Sequence, residues 1–185
     1  LVDGSVLLGD GDDSFYNGSD GIVRLEDAVV DMGLANYYGN RFDNYGVVRV
    51  RGSSHIDMGS GFLLVPSANP YAFYNYGAID FQDGAADDIL YITGDFAGDG
   101  DINVDVSGLD GLSDVLYIDG SVVSGTAGVI NVDLLDLPAV LDEVTSRGGD
   151  LYPIPCRLLL APYSEVRCWA IRSPDGALIE FMQAA

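Results

Sequence analysis

The chain has 185 residues, enough to bury a core, and 48% of them are hydrophobic, so its net charge of −21 does not mark a disordered polymer. Twenty-nine acids stand against eight arginines and no lysine, a surface that repels nucleic acid and anionic membranes and invites divalent cations. No apolar run approaches the ~20 residues of a membrane helix, and the chain opens at Leu1 in mid-pattern without a starting Met or signal peptide, so it reads as a piece of something longer.

The first feature in chain order is Leu8-Gly9-Asp10-Gly11-Asp12-Asp13-Ser14-Phe15. It fits most of a calcium-binding nonapeptide, with Leu8 where the first glycine belongs. Gly84-Ala85-Ala86-Asp87-Asp88-Ile89-Leu90 is a weaker echo, and Gly98-Asp99-Gly100-Asp101 a fainter one. Asp10, Asp12, Asp13, Asp87 and Asp88 are therefore the metal candidates, with calcium as the ion. In tandem nonapeptides adjacent copies complete each other's carboxylate set. Here the two best copies lie 75 residues apart, so solvated Asp-Gly turns are the competing and favoured reading, and no cofactor is required.

One phrase then occurs three times: an aromatic, any residue, asparagine, a short polar step, glycine, and alternating apolar residues. The copies are Phe15-Tyr16-Asn17 leading to Gly21-Ile22-Val23-Arg24-Leu25, Phe42-Asp43-Asn44-Tyr45-Gly46-Val47-Val48-Arg49-Val50, and Phe73-Tyr74-Asn75-Tyr76-Gly77-Ala78-Ile79-Asp80-Phe81. Beside them runs a second glycine series, Gly9, Gly33, Gly59 and Gly84, at spacings of 24, 26 and 25. Self-similarity at such a period marks a stacked repeat architecture. Asn17, Asn44 and Asn75 recur at one place because in-register stacking lets asparagine amides form hydrogen-bonded ladders. Gly21, Gly46 and Gly77 are read as bends closed to other residues.

Short β-branched runs bounded by Gly, Asp, Asn and Ser read as strands: Gly46 to Val50, Ser54 to Met58, Ile89 to Ile92, Val104 to Val106 and Val115 to Ile118. The repeat continues in changed form, Asp88-Ile89-Leu90-Tyr91-Ile92 returning as Asp114-Val115-Leu116-Tyr117-Ile118 at a shift of 26. Ile102-Asn103-Val104-Asp105-Val106 returns as Ile130-Asn131-Val132-Asp133-Leu134 at a shift of 28, which places a small insertion, a looped corner, at Ser124-Gly125-Thr126-Ala127-Gly128. A unit of about 25 residues cannot bury its apolar face alone, but coils can bury it by stacking. The expected fold is all-β: residues 1–138 form a parallel β-solenoid of about five to six coils. An antiparallel sandwich is the competitor, but its Asn-Gly hairpin signals are mostly missing.

Residues 139–185 break the pattern. Pro138 to Arg147 reads as a short helix with Leu137, Val140, Leu141 and Val144 on one face. Residues 151–185 carry one glycine where the first 150 carry 23. Arg167-Cys168-Trp169-Ala170-Ile171 and Ala177-Leu178-Ile179-Glu180-Phe181 flank the turn Ser173-Pro174-Asp175-Gly176, which predicts a hairpin. This atypical tail is either a cap over the last coil, whose strand edges invite association, or sequence foreign to the repeat. Cys156 and Cys168 either pair across the hairpin or are buried as small apolar groups.

The Phe-x-Asn-x-Gly phrase, Leu8 to Phe15, and Gly128-Val129-Ile130-Asn131-Val132-Asp133-Leu134 together resemble autotransporter passenger domains, over residues 1–138 only. The resemblance implies a right-handed β-helix displayed outside a Gram-negative cell, at the cell surface or released, by a C-terminal outer-membrane barrel that this sequence lacks. It implies a non-catalytic display stalk or adhesin whose partners are host glycans or surface proteins, with no nucleic acid and no membrane insertion by this segment. The alternatives are a calcium-binding secreted repeat protein and a polysaccharide-processing β-helix enzyme.

Catalysis has little to stand on. His55 is the only histidine, so a Ser-His-Asp arrangement would be built on it, and strand alternation turns one of Ser53 and Ser54 away. Chance pairs of aspartates mimic a glycosidase, and a lysine-free acidic face repels a polyanionic substrate. The remaining handle is aromatic: Tyr71, Phe73, Tyr74 and Tyr76 within six residues, and Tyr37 with Tyr38 before the second phrase, as rings that stack on sugars or proteins. Alternation sends one parity of these into the coil core.

Overall fold

The structure, a computed structural model, describes residues 1–61, 71–108, 110–123, 128–135, 139, 142, 146, 151–153, 166–172 and 178–184. The chain divides into two compact units, Leu1–Ser107 with Gly111–Asp133, and Gly108–Asp110 with Leu134–Ala185.

The first unit is a parallel β-solenoid. Each coil contributes one strand to each of three sheets. Sheet A stacks β1 (Val2–Asp3), β4 (Ile22–Glu26), β8 (Val47–Arg51), β12 (Ala78–Asp80), β15 (Asp101–Ser107) and β18 (Ile130–Leu135). Sheet B stacks β2 (Val6–Leu7), β5 (Val29–Asp31), β9 (Ser53–Asp57), β13 (Ile89–Thr93) and β17 (Val115–Asp119). Sheet C stacks β3 (Ser14–Asn17), β7 (Asn40–Asn44), β11 (Tyr71–Asn75) and β14 (Asp95–Gly98), and a parallel bridge from Phe96 to Val122 extends it. A small fourth sheet pairs β6 (Leu34–Ala35) with β10 (Ser60–Gly61) between sheets B and C. Chain order A, B, C thus repeats through five coils, and β18 opens a sixth. Among the described residues of this unit, β15 departs into an antiparallel hairpin with β16 (Leu112–Ser113).

Alternation explains the faces. Odd and even residues of a strand point to opposite sides, so Val23, Val48 and Ile79 of sheet A lie in one buried column, and Val30, Ile56 and Ile92 of sheet B in another. Sheet C contributes Phe15, Phe42, Phe73 and Phe96, whose ring centroids follow one another at 4.6, 4.7 and 5.8 Å. Each such buried pair adds about 0.5–1.5 kcal/mol to the burial of the rings themselves.

The asparagine column is as expected. Asn17 Nδ2 donates to Asn44 Oδ1 at 2.7 Å, and Asn44 Nδ2 to Asn75 Oδ1 at 2.8 Å. In the next coil Gly98 stands in register with Asn75, so Asn75 donates instead to the Asp101 carbonyl at 3.1 Å. The glycines beside the ladder have a different reason from the one expected. Gly21, Gly46 and Gly77 do not adopt positive φ. They are required by space, since a Cβ on Gly46 would sit on the Gly21 carbonyl oxygen and one on Gly77 on that of Gly46. Those same carbonyls accept Val47 N–H at 3.0 Å and Ala78 N–H at 2.8 Å, so the coils cannot part without breaking the ladder.

The second glycine series breaks. Gly33 stacks on Gly9 and Gly59 on Gly33, whereas Gly84 lies in open space in the segment between β12 and β13. The stacked pair of the later coils is Gly94 with Gly120. The equal spacing misleads because the inserted residues fall at different corners: His55 pairs with Tyr91, 36 residues on, while Tyr91 pairs with Tyr117, 26 residues on.

The expected helix over 138–147 lies almost wholly outside the described residues; Ala139, Asp142 and Ser146 among it are helical. Most of the corner at 124–128, the Ser173 to Gly176 turn and Cys156 lie outside them too. Within the second unit, β20 (Val166–Arg172) pairs antiparallel with β21 (Leu178–Ala184), with Trp169 opposite Phe181, and β19 (Leu151–Pro153) pairs on the other side of β20. Among the described residues no helix is long and apolar enough to cross a membrane.

Candidate functional site

The calcium candidates fall on two different corners. Asp10, Asp12 and Asp13 occupy the corner between β2 and β3 of the first coil, and Asp87 and Asp88 the segment leading into β13 of the fourth. Asp12 accepts from the amides of Asn36 and Tyr37, both at 2.9 Å, and those bonds, Tyr37's first, hold its carboxyl below the usual range. Asp10 accepts from the Leu34 amide at 3.4 Å, and the Asp13 amide donates to Asn40 Oδ1 at 2.9 Å. The carboxylates of Asp10 and Asp12 thus tie one coil's corner to the backbone of the next, while Asp13 Oδ2 is buried without a hydrogen-bond partner. Asp87 is exposed and Asp88 buried, so the two neighbours face apart. Among the described residues no three His, Cys, Asp or Glu side chains converge to hold a metal ion.

Asp88 belongs instead to a chain of buried carboxylates that capture corner amides. Its Oδ1 accepts from Gly52 N–H, Asp114 accepts from the amides of Asp88 and Asp105, and Asp105 accepts from those of Asp83 and Gly84. Asp88, Asp105 and Asp114 are 2%, 0% and 7% exposed. Arg51 is the one cation bridging to this group among the described residues, 3.2 Å from Asp83 and 3.8 Å from Asp88. Burial, with Asp83 and Asp114 adding, pushes the Asp88 carboxyl up to about 6.

The aromatic candidates divide by parity. Phe73 is corrected from a binding residue to a core residue: it points inward and is fully buried between Phe42 and Phe96. Tyr71 is half-buried and donates its hydroxyl to the Gly61 carbonyl at 3.0 Å. Tyr74 is covered on one face by the Arg41 guanidinium, 4.1 Å away, which is itself held by a two-point ion pair to Asp43. Tyr76 stacks on Tyr45 at 5.0 Å with the rings 23° apart. Rings stacked so closely hide the faces on which a sugar would lie. Tyr37 and Tyr38 are exposed in the turn between β6 and β7.

A further outer surface, where the sequence reading weighed His55 with Ser53 and Ser54, is grooved. The outward positions of sheet B form three columns, Ser53, Ile89, Val115, then Val29, His55, Tyr91, Tyr117, then Asp31, Asp57, Thr93, Asp119. Among them lies a groove of about 340 Å³ whose lining includes Val29, Ser53, His55, Tyr91, Thr93, Tyr117 and Asp119. His55 Nε2 shares a 2.5 Å hydrogen bond with Thr93 Oγ1. Ser54 points inward and accepts from the Ala28 amide at 3.2 Å, leaving Ser53 on the outer face, as alternation required. Tyr91 and Tyr117 meet at 5.3 Å but are tilted by 52°. The signal available in the sequence was the repeated Leu-Tyr-Ile at 90–92 and 116–118.

No protein-family model, curated protein or solved structure matches this chain.

Proposed function

We propose that this chain is a length of a non-catalytic display stalk or adhesin, an autotransporter-like passenger segment that stands outside a Gram-negative cell and works by presenting its outer faces. The observation that carries the reading is the shared register of the phenylalanine column through four coils, of Asn17, Asn44 and Asn75 through three, and of Gly21, Gly46 and Gly77 beside them. Such stacking converts sequence length into axial length at about 4.8 Å per coil. Strand amides facing a neighbouring coil are consumed in the ladders, so a nucleophile on a sheet face has few free donors near it to stabilise an oxyanion. The lysine-free, acidic exterior keeps an exposed rod soluble and apart from like surfaces.

The test is display. The full chain is placed between a secretion signal and an outer-membrane barrel in a Gram-negative host, and intact cells are labelled with antibody and challenged with protease. A stalk is labelled from outside and, once folded, resists cleavage within residues 1–61 and 71–107. Chain retained inside cells that export a control passenger, or displayed but digested throughout, would overturn the reading.

A further inference from the structure

We propose that the sheet B groove binds an uncharged pyranoside oligomer lying across Tyr91 and Tyr117; this deepens the adhesin reading and rests on it. Four observations point to that occupant. The two rings are 43% and 52% exposed and tilted by 52°, where Tyr45 and Tyr76 lie only 23° apart, and a sugar's C–H face packs on exposed rings. Beside them the groove supplies hydroxyl, imidazole and carboxylate groups in a row, Ser53, His55, Thr93 and Asp119, which match a polyhydroxylated ligand's alternating donors and acceptors.

The charge argument removes the acidic sugars. The outer column beside the rings carries Asp31, Asp57 and Asp119, and no arginine lines the groove. The described arginines of the solenoid are elsewhere: Arg24, Arg49 and Arg51 on sheet A, and Arg41 on sheet C. A uronate or sulfated chain would face carboxylates with no counter-charge.

A folded protein partner fits less well. The core of a protein interface is apolar and depleted of charge, whereas here Asp119 stands two residues from Tyr117, and His55 and Thr93 line the same groove. His55 with Thr93 has the form of a base with a hydroxyl, but both stand on strands whose amides are paired across the sheet. They serve as a polar pair for a ligand's hydroxyls.

The 185-residue chain is titrated with cellohexaose and N-acetyl-chitohexaose as uncharged probes, with a hyaluronan fragment of like length and an arginine-rich peptide as charged ones. Binding is followed by calorimetry and by NMR shifts of the groove residues. The expectation is millimolar or tighter binding of at least one uncharged oligomer. Tyr117→Ala should weaken it roughly tenfold, the loss of one stacked ring. Tyr117→Phe, which keeps the ring, should bind within about threefold of the parent, and Tyr16→Ala on sheet C should change nothing. Both positions are half or more exposed, so the fold survives, and circular dichroism checks it. Absence of binding by both uncharged probes, binding indifferent to Tyr117→Ala, or preference for hyaluronan or the peptide would each overturn the proposal. The display assay reads the stalk separately, so a displayed, protease-resistant chain that ignores both sugars sinks the groove and not the stalk.

Discussion

Asp88 gives this solenoid a pH dependence opposite to ordinary acid denaturation. The carboxylate is 2% exposed; Oδ1 accepts from Gly52 N–H at 2.6 Å, while Oδ2 has no hydrogen-bond partner and lies 3.8 Å from an Arg51 nitrogen. Burial first, then the charges of Asp83 and Asp114, raise its carboxyl from 3.8 to about 6, with the Gly52 amide and Arg51 acting against them. Asp114, in the next coil, is raised by burial with Asp105 and Asp83 adding. A group that holds its proton more tightly when folded destabilises the fold while ionised. The penalty is therefore present in full above about pH 6 and disappears as the pH falls through 6 toward 4. About two units at about 1.36 kcal/mol each make this roughly 3 kcal/mol. Asp12, whose carboxyl is held low, contributes the opposite sign, but its share is lost only below the usual aspartate range. Urea unfolding followed by far-UV circular dichroism should show the midpoint rising from about pH 7.5 to about pH 4.5. Asp88→Asn keeps an oxygen for Gly52, and the attraction of Arg51 is already counted in the net rise of the carboxyl. The variant should thus be about 3 kcal/mol more stable than the parent at about pH 7.5, with most of the slope gone. A midpoint that falls or stays level on acidification, or a variant with the parent's slope, refutes the argument.

Asn44→Ala removes two donated bonds and one accepted bond from the ladder, taking the donor from Asn75 Oδ1 and leaving Asn17 Nδ2 its longer bonds to the Gly21 and Val47 carbonyls, and should lower stability by about 1–3 kcal/mol in the same urea assay. Gly46→Ala drives a Cβ into the Gly21 and Gly18 carbonyls and should cost more than about 3 kcal/mol. Gly84→Ala, strained at φ 91° but in open space, should cost only about 1 kcal/mol. Calcium in millimolar excess should leave the midpoint within about 0.5 kcal/mol, against about 2.7 kcal/mol for a site filled at 100 times its Kd, and a shift of that size abolished by Asp13→Asn would restore the calcium reading.

Much of the scaffold was legible in the chain because its signals are local and repeated. The Phe-x-Asn phrase marks its own parity, so Phe42 inside and Asn44 in the ladder follow from alternation once the coils stack. Phe73 shows the limit: its place among four aromatic residues suggested a binding surface, and only the parity set by Phe42 below and Phe96 above assigned it to the core. Of the groove, the sequence singled out His55 with its chain neighbours Ser53 and Ser54. Ser53 and Ser54 adjoin it in sequence, while its hydrogen-bonding partner Thr93 lies 38 residues away.

By itself, then, the sequence determined the class of fold, the existence of coils and which parity of each strand faces the core, because these depend on a period and an alternation carried within a few residues. The tertiary structure alone decided which residue stands above which. Inserted residues at one corner shift the register of every later contact there, so equal spacing put Gly84 in a series to which it does not belong. The same shifts bury Asp88 beneath Asp114 and bring Thr93 to His55. Burial and charge environment follow from those long-range contacts, which is why the raised carboxyl and the tyrosine groove appear only once the coils are stacked.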